Sequence, residues 1–202
     1  MAVLRLSAEV LASSDLPWAL VGGLAVSIRT EPRFTRDVDL AVAVVDDSAA
    51  ERLVSRFVNS GFRLALSLEQ TALDRLAAVR LLAPGESLEG IVVDLLFTST
   101  GIEAEICRDA EPLEIAQGLA VPVARAGHLV AMKVLSAASH RPQDAVDLAA
   151  LIAALDPLDR ERAVAAVSSI ERVGANRNKH LRAELEEWLA RGESRHGPAQ
   201  PR

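Results

Sequence analysis

The chain has no tyrosine, and aromatics make up only 3% of its 202 residues. A core must therefore be assembled from Leu, Val, Ile and Ala, with Trp18, Trp188 and four Phe as its few large pieces. Cys107 is the single cysteine, so no intramolecular disulfide can form and a reducing cytoplasm is the expected setting. No run approaches the roughly 18 uninterrupted apolar residues of a membrane span. The first residues, Met1 to Leu6, lack the apolar stretch and cleavage site of a secretory signal, so no membrane partner is expected. Positive charge is also short: 22 Lys and Arg stand against 28 Asp and Glu, a net charge of -6. That balance argues against a protein held on nucleic acid by bulk charge, while leaving room for a local basic cleft. Lysine is the scarcest cation, confined to Lys133 and Lys179 in an Arg-rich chain.

What is present is enough apolar material, half of all residues, for one domain of ordinary size. Its pattern changes along the chain. Residues 1–125 alternate between helix and strand signals, with strands expected at Leu16 to Val21, Asp37 to Val45, Phe62 to Leu68, Ala77 to Leu82 and Ile91 to Phe97. Helices are expected at Val3 to Ser13, Leu24 to Arg29, from an N-cap at Ser48 to Asn59, and within Thr98 to Asp109. Two brief strands follow, at Leu113 to Ala116 and Leu119 to Val123. From Ala126 the periodicity is helical throughout, over about 127–139, 143–155, 158–171 and 178–190. The reading is an α+β chain: a mixed sheet flanked by helices over 1–125, and a helical region over 126–191 packed on that core. Residues 192–202, rich in Gly, Pro, Ser and charge, are expected to be a disordered tail.

Three features carry chemistry. Gly22-Gly23 lies between a strand and a helix, where glycine lets backbone approach a ligand and the helix start presents free N–H groups. The spacing is that of neither a P-loop nor a dinucleotide fingerprint. Asp37-Val38-Asp39 opens the second strand, so alternation puts both carboxylates on one face and Val38, Leu40, Val42 and Val44 on the other. Two such charges about 4 Å apart repel by up to ~4 kcal/mol at an effective dielectric near 20. They call for a cation, and Mg²⁺ suits hard carboxylate oxygens shared with phosphates. The plainer alternative is a salt-bridge cluster neutralised by Arg33 and Arg36. Asp94 stands in the apolar run Ile91 to Phe97, where an ionised carboxylate is costly unless paired or metal-bound. Beside the second strand it completes a three-carboxylate set of the kind that holds two metal ions for phosphoryl or nucleotidyl transfer.

Gly22-Gly23, a 13-residue interval, Asp37-Val38-Asp39 and the later strand acid Asp94 resemble the polymerase-beta-type nucleotidyltransferase superfamily. More narrowly the chain is similar to the AbiEii/AbiGii toxin-like nucleotidyltransferases of toxin–antitoxin systems. Val93 to Phe97 followed by Ser99 to Glu103 carries that likeness, as do His128 to Leu135 and Arg141 to Leu148. The likeness spans roughly residues 15–155. One departure is Gly22-Gly23, where many superfamily members have Gly-Ser and so a hydroxyl for phosphate.

The resemblance implies that Asp37, Asp39 and Asp94 bind Mg²⁺, two ions with Mn²⁺ as a substitute, and that Asp94 helps activate the nucleophile. It implies that Gly22, Gly23, Arg36 and Lys133 bind nucleotide phosphates, with Arg141, Asp144 and Asp147 in support, the two acids orienting Lys133 or Arg141. A compact ammonium is a good partner for a polyphosphate. The implied partners are a nucleoside triphosphate, an acceptor that is tRNA, protein or a small molecule, and a cognate antitoxin protein. The competing readings are a non-catalytic nucleotide- or partner-binding module of the same fold and an antibiotic-modifying transferase. A nuclease or a DxD glycosyltransferase shares the acids but not the Gly-Gly phosphate feature.

Overall fold

The computed structural model describes residues 1–70, 75–86, 90–137 and 142–195. Arg141 and His140, and the tail from 196 on, lie outside them. Among the described residues seven strands form one mixed sheet: β1 (Trp18–Val21), β2 (Val38–Val42), β3 (Arg63–Gln70), β4 (Arg75–Leu82), β5 (Val92–Leu96), β6 (Glu111–Ala116) and β7 (Leu119–Val123). Their order is β3-β4-β5-β2-β1-β7-β6. β2 runs parallel to β5 and β1 parallel to β7, while the remaining neighbours are antiparallel.

The helices are α1 (Ala2–Ala12), α2 (Gly22–Arg29), α3 (Asp47–Asn59), α4 (Glu103–Asp109), α5 (Ala126–Ser136), α6 (Pro142–Ala154), α7 (Pro157–Arg172) and α8 (Leu181–Arg195). α3 packs on β3 and β4, α4 on β1 and β2, and α5 and α6 against α2. α8, set against α5, α6 and α7, reaches Arg195. The core is aliphatic as composition requires, with Leu20, Leu40, Leu95 and Leu129 fully buried and Phe57 against Phe62 as its aromatic pair, 5.0 Å between ring centres.

Several boundaries differ from the sequence reading for local reasons. α2 begins at Gly22, not Leu24, because Gly22 takes a left-handed φ of 64° that turns the chain straight out of β1. α3 is capped by Asp46 rather than Ser48, since the Asp46 carboxylate accepts from the Ala49 N–H at 2.7 Å. β2 begins at Val38, which leaves Asp37 immediately before the strand.

A single row of the register crosses most of the sheet. Val21 pairs with Asp39, Asp39 with Asp94, Asp94 with Arg80, and Arg80 with Leu66. Residues opposite one another in a ladder share a face, so one line across the strands carries two acids and an arginine.

Candidate active site

Between the sheet and α2, α5 and α6 lies a cavity of about 600 Å³, a size suited to a nucleotide-sized ligand. Asp37, Asp39 and Asp94 line its sheet end, and Lys133 and Asp144 its helical end. Gly22 and Gly23 form the wall between them.

The sheet end is short of positive charge. Asp39 is pushed up to about 7, first by burial and then by the charges of Asp94 and Asp37. Lys133 and a hydrogen bond from the Gly23 N–H pull in the other direction and do not prevail. That N–H is one of the unpaired donors at the start of α2, so the helix N-terminus is aimed at the Asp39 carboxylate. Gly22 is required twice over: its φ is left-handed, and a Cβ there would collide with the Asp39 carboxylate. Asp37 is exposed at the cavity rim.

Asp94 is placed differently from its two companions. Arg80 reaches across from β4 and takes both oxygens, Nε to Oδ1 at 2.8 Å and Nη2 to Oδ2 at 2.6 Å. The bidentate bond to Asp94 raises the Arg80 guanidinium further above its already high value. Arg80 was invisible to sequence reasoning, because an arginine in a strand finds its partner only once register is known.

The helical end is crossed by ion pairs. Lys133 Nζ lies 2.7 Å from both Asp144 and Asp147. Asp147 also accepts from Arg33 Nη2 at 2.8 Å and Gln143 at 3.0 Å. Burial alone would raise Asp147, but the bonds from Lys133, Gln143 and Arg33 hold it below the usual carboxylate range. Asp144 keeps one buried oxygen, Oδ2, without a partner among the described residues. The α6 acids thus hold Lys133.

Among the arginines, Arg33 lines the cavity, whereas Arg36 lies exposed with its guanidinium 5.9 Å from the Phe34 ring centre. Arg29 is a structural staple, bonded to Glu111 and to the carbonyls of Val123 and Ala124. The side-chain space at Gly23 is filled by neighbours: a Cβ would meet Arg33 Nη2 at 2.7 Å and Thr35 Oγ1 at 3.1 Å. A guanidinium and a hydroxyl therefore occupy the space a side chain at position 23 would need. Arg177 also lines the cavity, presented by two successive left-handed residues, Arg177 and Asn178. A loop arginine of that kind leaves no periodic signal to find.

The second lysine is structural: Lys179 Nζ donates to the carbonyls of Val134 and Ala137 and so closes the end of α5. Cys107 is buried, with its thiol pushed up to about 12 by burial, which makes it an unreactive core residue. A separate group, Glu105, Asp109 and His128, brings three ligating atoms within 4.8 Å. In it Arg108 pairs with Asp109 at 2.9 Å and the His128 ring bonds Glu105 at 3.2 Å, with burial driving the imidazole toward its neutral form.

The hard oxygen donors of Asp37 and Asp39 fit a divalent cation such as Mg²⁺, since burial and mutual repulsion leave Asp39 under-neutralised. Asp94 fits the same set by position, though its oxygens are held by Arg80.

The model of the family described as nucleotidyl transferase AbiEii toxin, type IV toxin–antitoxin system, matches residues 5–200. The chain belongs to this family. No functionally curated protein matches it. Among solved structures it is similar to the lincomycin-bound lincosamide antibiotic adenylyltransferase LnuA, at 11% identity and a TM-score of 0.48, covering 74% of this chain and 94% of that one. It is also similar to the antibiotic-resistance factor ANT(2'')-Ia, at 15% identity and a TM-score of 0.43, covering 96% and 91%. An AbiEii-family nucleotidyltransferase is thus built here on a mixed seven-stranded sheet with a helical C-terminal region. No described helix is long and apolar enough to cross a membrane.

Proposed function

We propose that this AbiEii-family chain moves a nucleoside monophosphate from a nucleoside triphosphate to an acceptor hydroxyl, as the toxin of a toxin–antitoxin pair. The observation that carries the reading is the contrast within one cavity: an acid group short of positive charge faces a lysine across the N-terminus of α2. The acceptor oxygen attacks the α-phosphorus, the bond from that phosphorus to the α–β bridging oxygen breaks, and pyrophosphate leaves.

In this reading Asp37 and Asp39 hold a divalent cation. When bound, the cation supplies charge stabilisation to the phosphoryl oxygens. The N-terminus of α2, whose Gly23 N–H already holds Asp39, favours negative charge beside it, and Lys133 supplies a positive charge opposite for the triphosphate. Arg33 and Thr35 take the place of the missing serine hydroxyl, and Asp144 and Asp147 orient Lys133. Asp94, on the same face, accepts the proton of the attacking hydroxyl once Arg80 has released the carboxylate.

The test uses triphosphates labelled at the α- or γ-phosphate, with Mg²⁺, total cellular RNA and total cellular protein. The α-label is expected in one macromolecular pool and the γ-label in pyrophosphate, with neither seen for Asp39→Ala. Transfer of the γ-label, or hydrolysis without an acceptor, overturns the reaction. Toxicity is tested apart, by expression: growth should slow and recover when a cognate partner protein is co-expressed. A harmless protein that modifies a small molecule would instead place it with the antibiotic-modifying transferases.

A further inference from the structure

The three acids at the sheet end are not equivalent. Asp39 receives a backbone N–H from Gly23, and Asp37 stands at the rim. Asp94 alone is engaged on both oxygens by a cation of the chain itself. That engagement is set by the ladder, since Arg80 and Asp94 are opposite neighbours on β4 and β5. The planar fork of a guanidinium matches a carboxylate edge, so this pairing directs the Asp94 oxygens toward β4. The Asp94 side chain is only 15% exposed and the Arg80 side chain 45%. Arg80 is therefore the partner free to swing, and Asp94 the one held in place.

Charge counting points the same way. With all three carboxylates ionised, as binding of a cation requires, they leave two negative charges after the one guanidinium is subtracted, which a single dication balances. A second dication added to the free protein would stand beside Arg80 and be repelled by it.

We infer that Arg80 is a positioning residue that acts as a resident counter-cation for Asp94, so that the free protein takes one divalent ion, on Asp37 and Asp39, and admits a second only when Arg80 lets go. The inference rests on the reading that Asp37 and Asp39 hold a divalent cation. It gives the pocket two loading states set by a side chain rather than by a moving domain. It also places a half-exposed guanidinium at the cavity edge, ready for an incoming anionic group once released.

The test is Mn²⁺ binding to the full chain, followed by electron paramagnetic resonance and calorimetry, with Mn²⁺ alone as the probe. The wild type should bind one ion tightly per chain. Arg80→Gln should bind two, with the second at least ~10-fold tighter than in the wild type, because an opposite charge at this range shifts a carboxylate's affinity for a competing cation by that order. Adding Asp94→Asn to Arg80→Gln should abolish the second ion and keep the first. Circular dichroism checks that each variant is folded, and Arg80→Lys, which keeps the charge but not the fork, should give an intermediate second affinity. Two ions of equal affinity in wild type and Arg80→Gln, or one ion in both, overturn the role of Arg80 alone. No Mn²⁺ in any form overturns that role together with the metal reading.

Discussion

The two ends of the cavity hold carboxylates in opposite electrostatic circumstances. At the helical end Asp144 and Asp147 share Lys133, and Asp147 has Arg33 and Gln143 as well. Its carboxyl is held low despite burial. At the sheet end Asp39 is pushed up to about 7 by burial and two like charges. A chain that can saturate one acid pair with its own cations has left another unsaturated a short distance away. The difference separates acids that fix a side chain from acids suited to an external cation.

The largest expected effect tests the sheet end. Asp39→Ala should lower nucleotide transfer on the order of 10³-fold or more, as loss of a metal-holding carboxylate does, while thermal unfolding shows no loss of stability. A variant that keeps its activity would break the comparison. At the helical end, Lys133→Met should lower both activity and stability. It strands Asp144 and Asp147 without their shared cation, at a cost of about 3 kcal/mol in urea unfolding. Gly22→Ala tests the wall between the ends. A left-handed φ and a collision with Asp39 should cost about 2 kcal/mol, together with a loss of Mn²⁺ affinity measured by calorimetry.

The smallest effect is in pH dependence, and the two ends should slope in opposite directions. Asp39 in the metal-free protein holds its proton up to about 7, against 3.8 for the ordinary side chain. Across that interval the native state binds more protons than the unfolded chain, so this group's share of stability falls as pH rises. Asp147 is lowered from 3.8, so its share is full above that value and is lost as pH falls below it. Urea midpoints at several pH values should show a flatter profile between about pH 4 and 7 for Asp39→Asn than for the wild type. Asp147→Asn should remove part of the decline on the acid side. Identical profiles for all three proteins would mean that the two ends do not differ in this way.

Much of this was legible in the residues. Alternation from Asp37 marked the strand found at Val38–Val42, with Asp37 just ahead of it, and Gly22-Gly23 marked the turn that meets Asp39. The acids of α6 were expected to orient Lys133 or Arg141, and both lie 2.7 Å from Lys133. What escaped was whatever depends on register or on irregular backbone. Arg80 needed β4 to be aligned against β5, and Arg177 needed a left-handed turn between α7 and α8. The phosphate role fell to Arg36 on sequence grounds, whereas Arg33 is the one that lines the cavity. Only the path of the chain from α2 to β2 turns Arg33 toward Asp147 and Arg36 toward Phe34. The Arg141 expectation falls outside the described residues.

The line of paired residues from Val21 to Leu66 has a consequence for how the molecule folds. Arg80 and Leu81 point to opposite sides of β4, one at the cavity and the other fully buried. A slip of β4 by a single residue would drive a guanidinium into the aliphatic interior and put a leucine beside Asp94, so misaligned pairing is penalised on both faces at once. The same two residues that arrange the pocket thus proofread the alignment of the sheet, and a chain that has folded with its strands in step has already assembled its acid group.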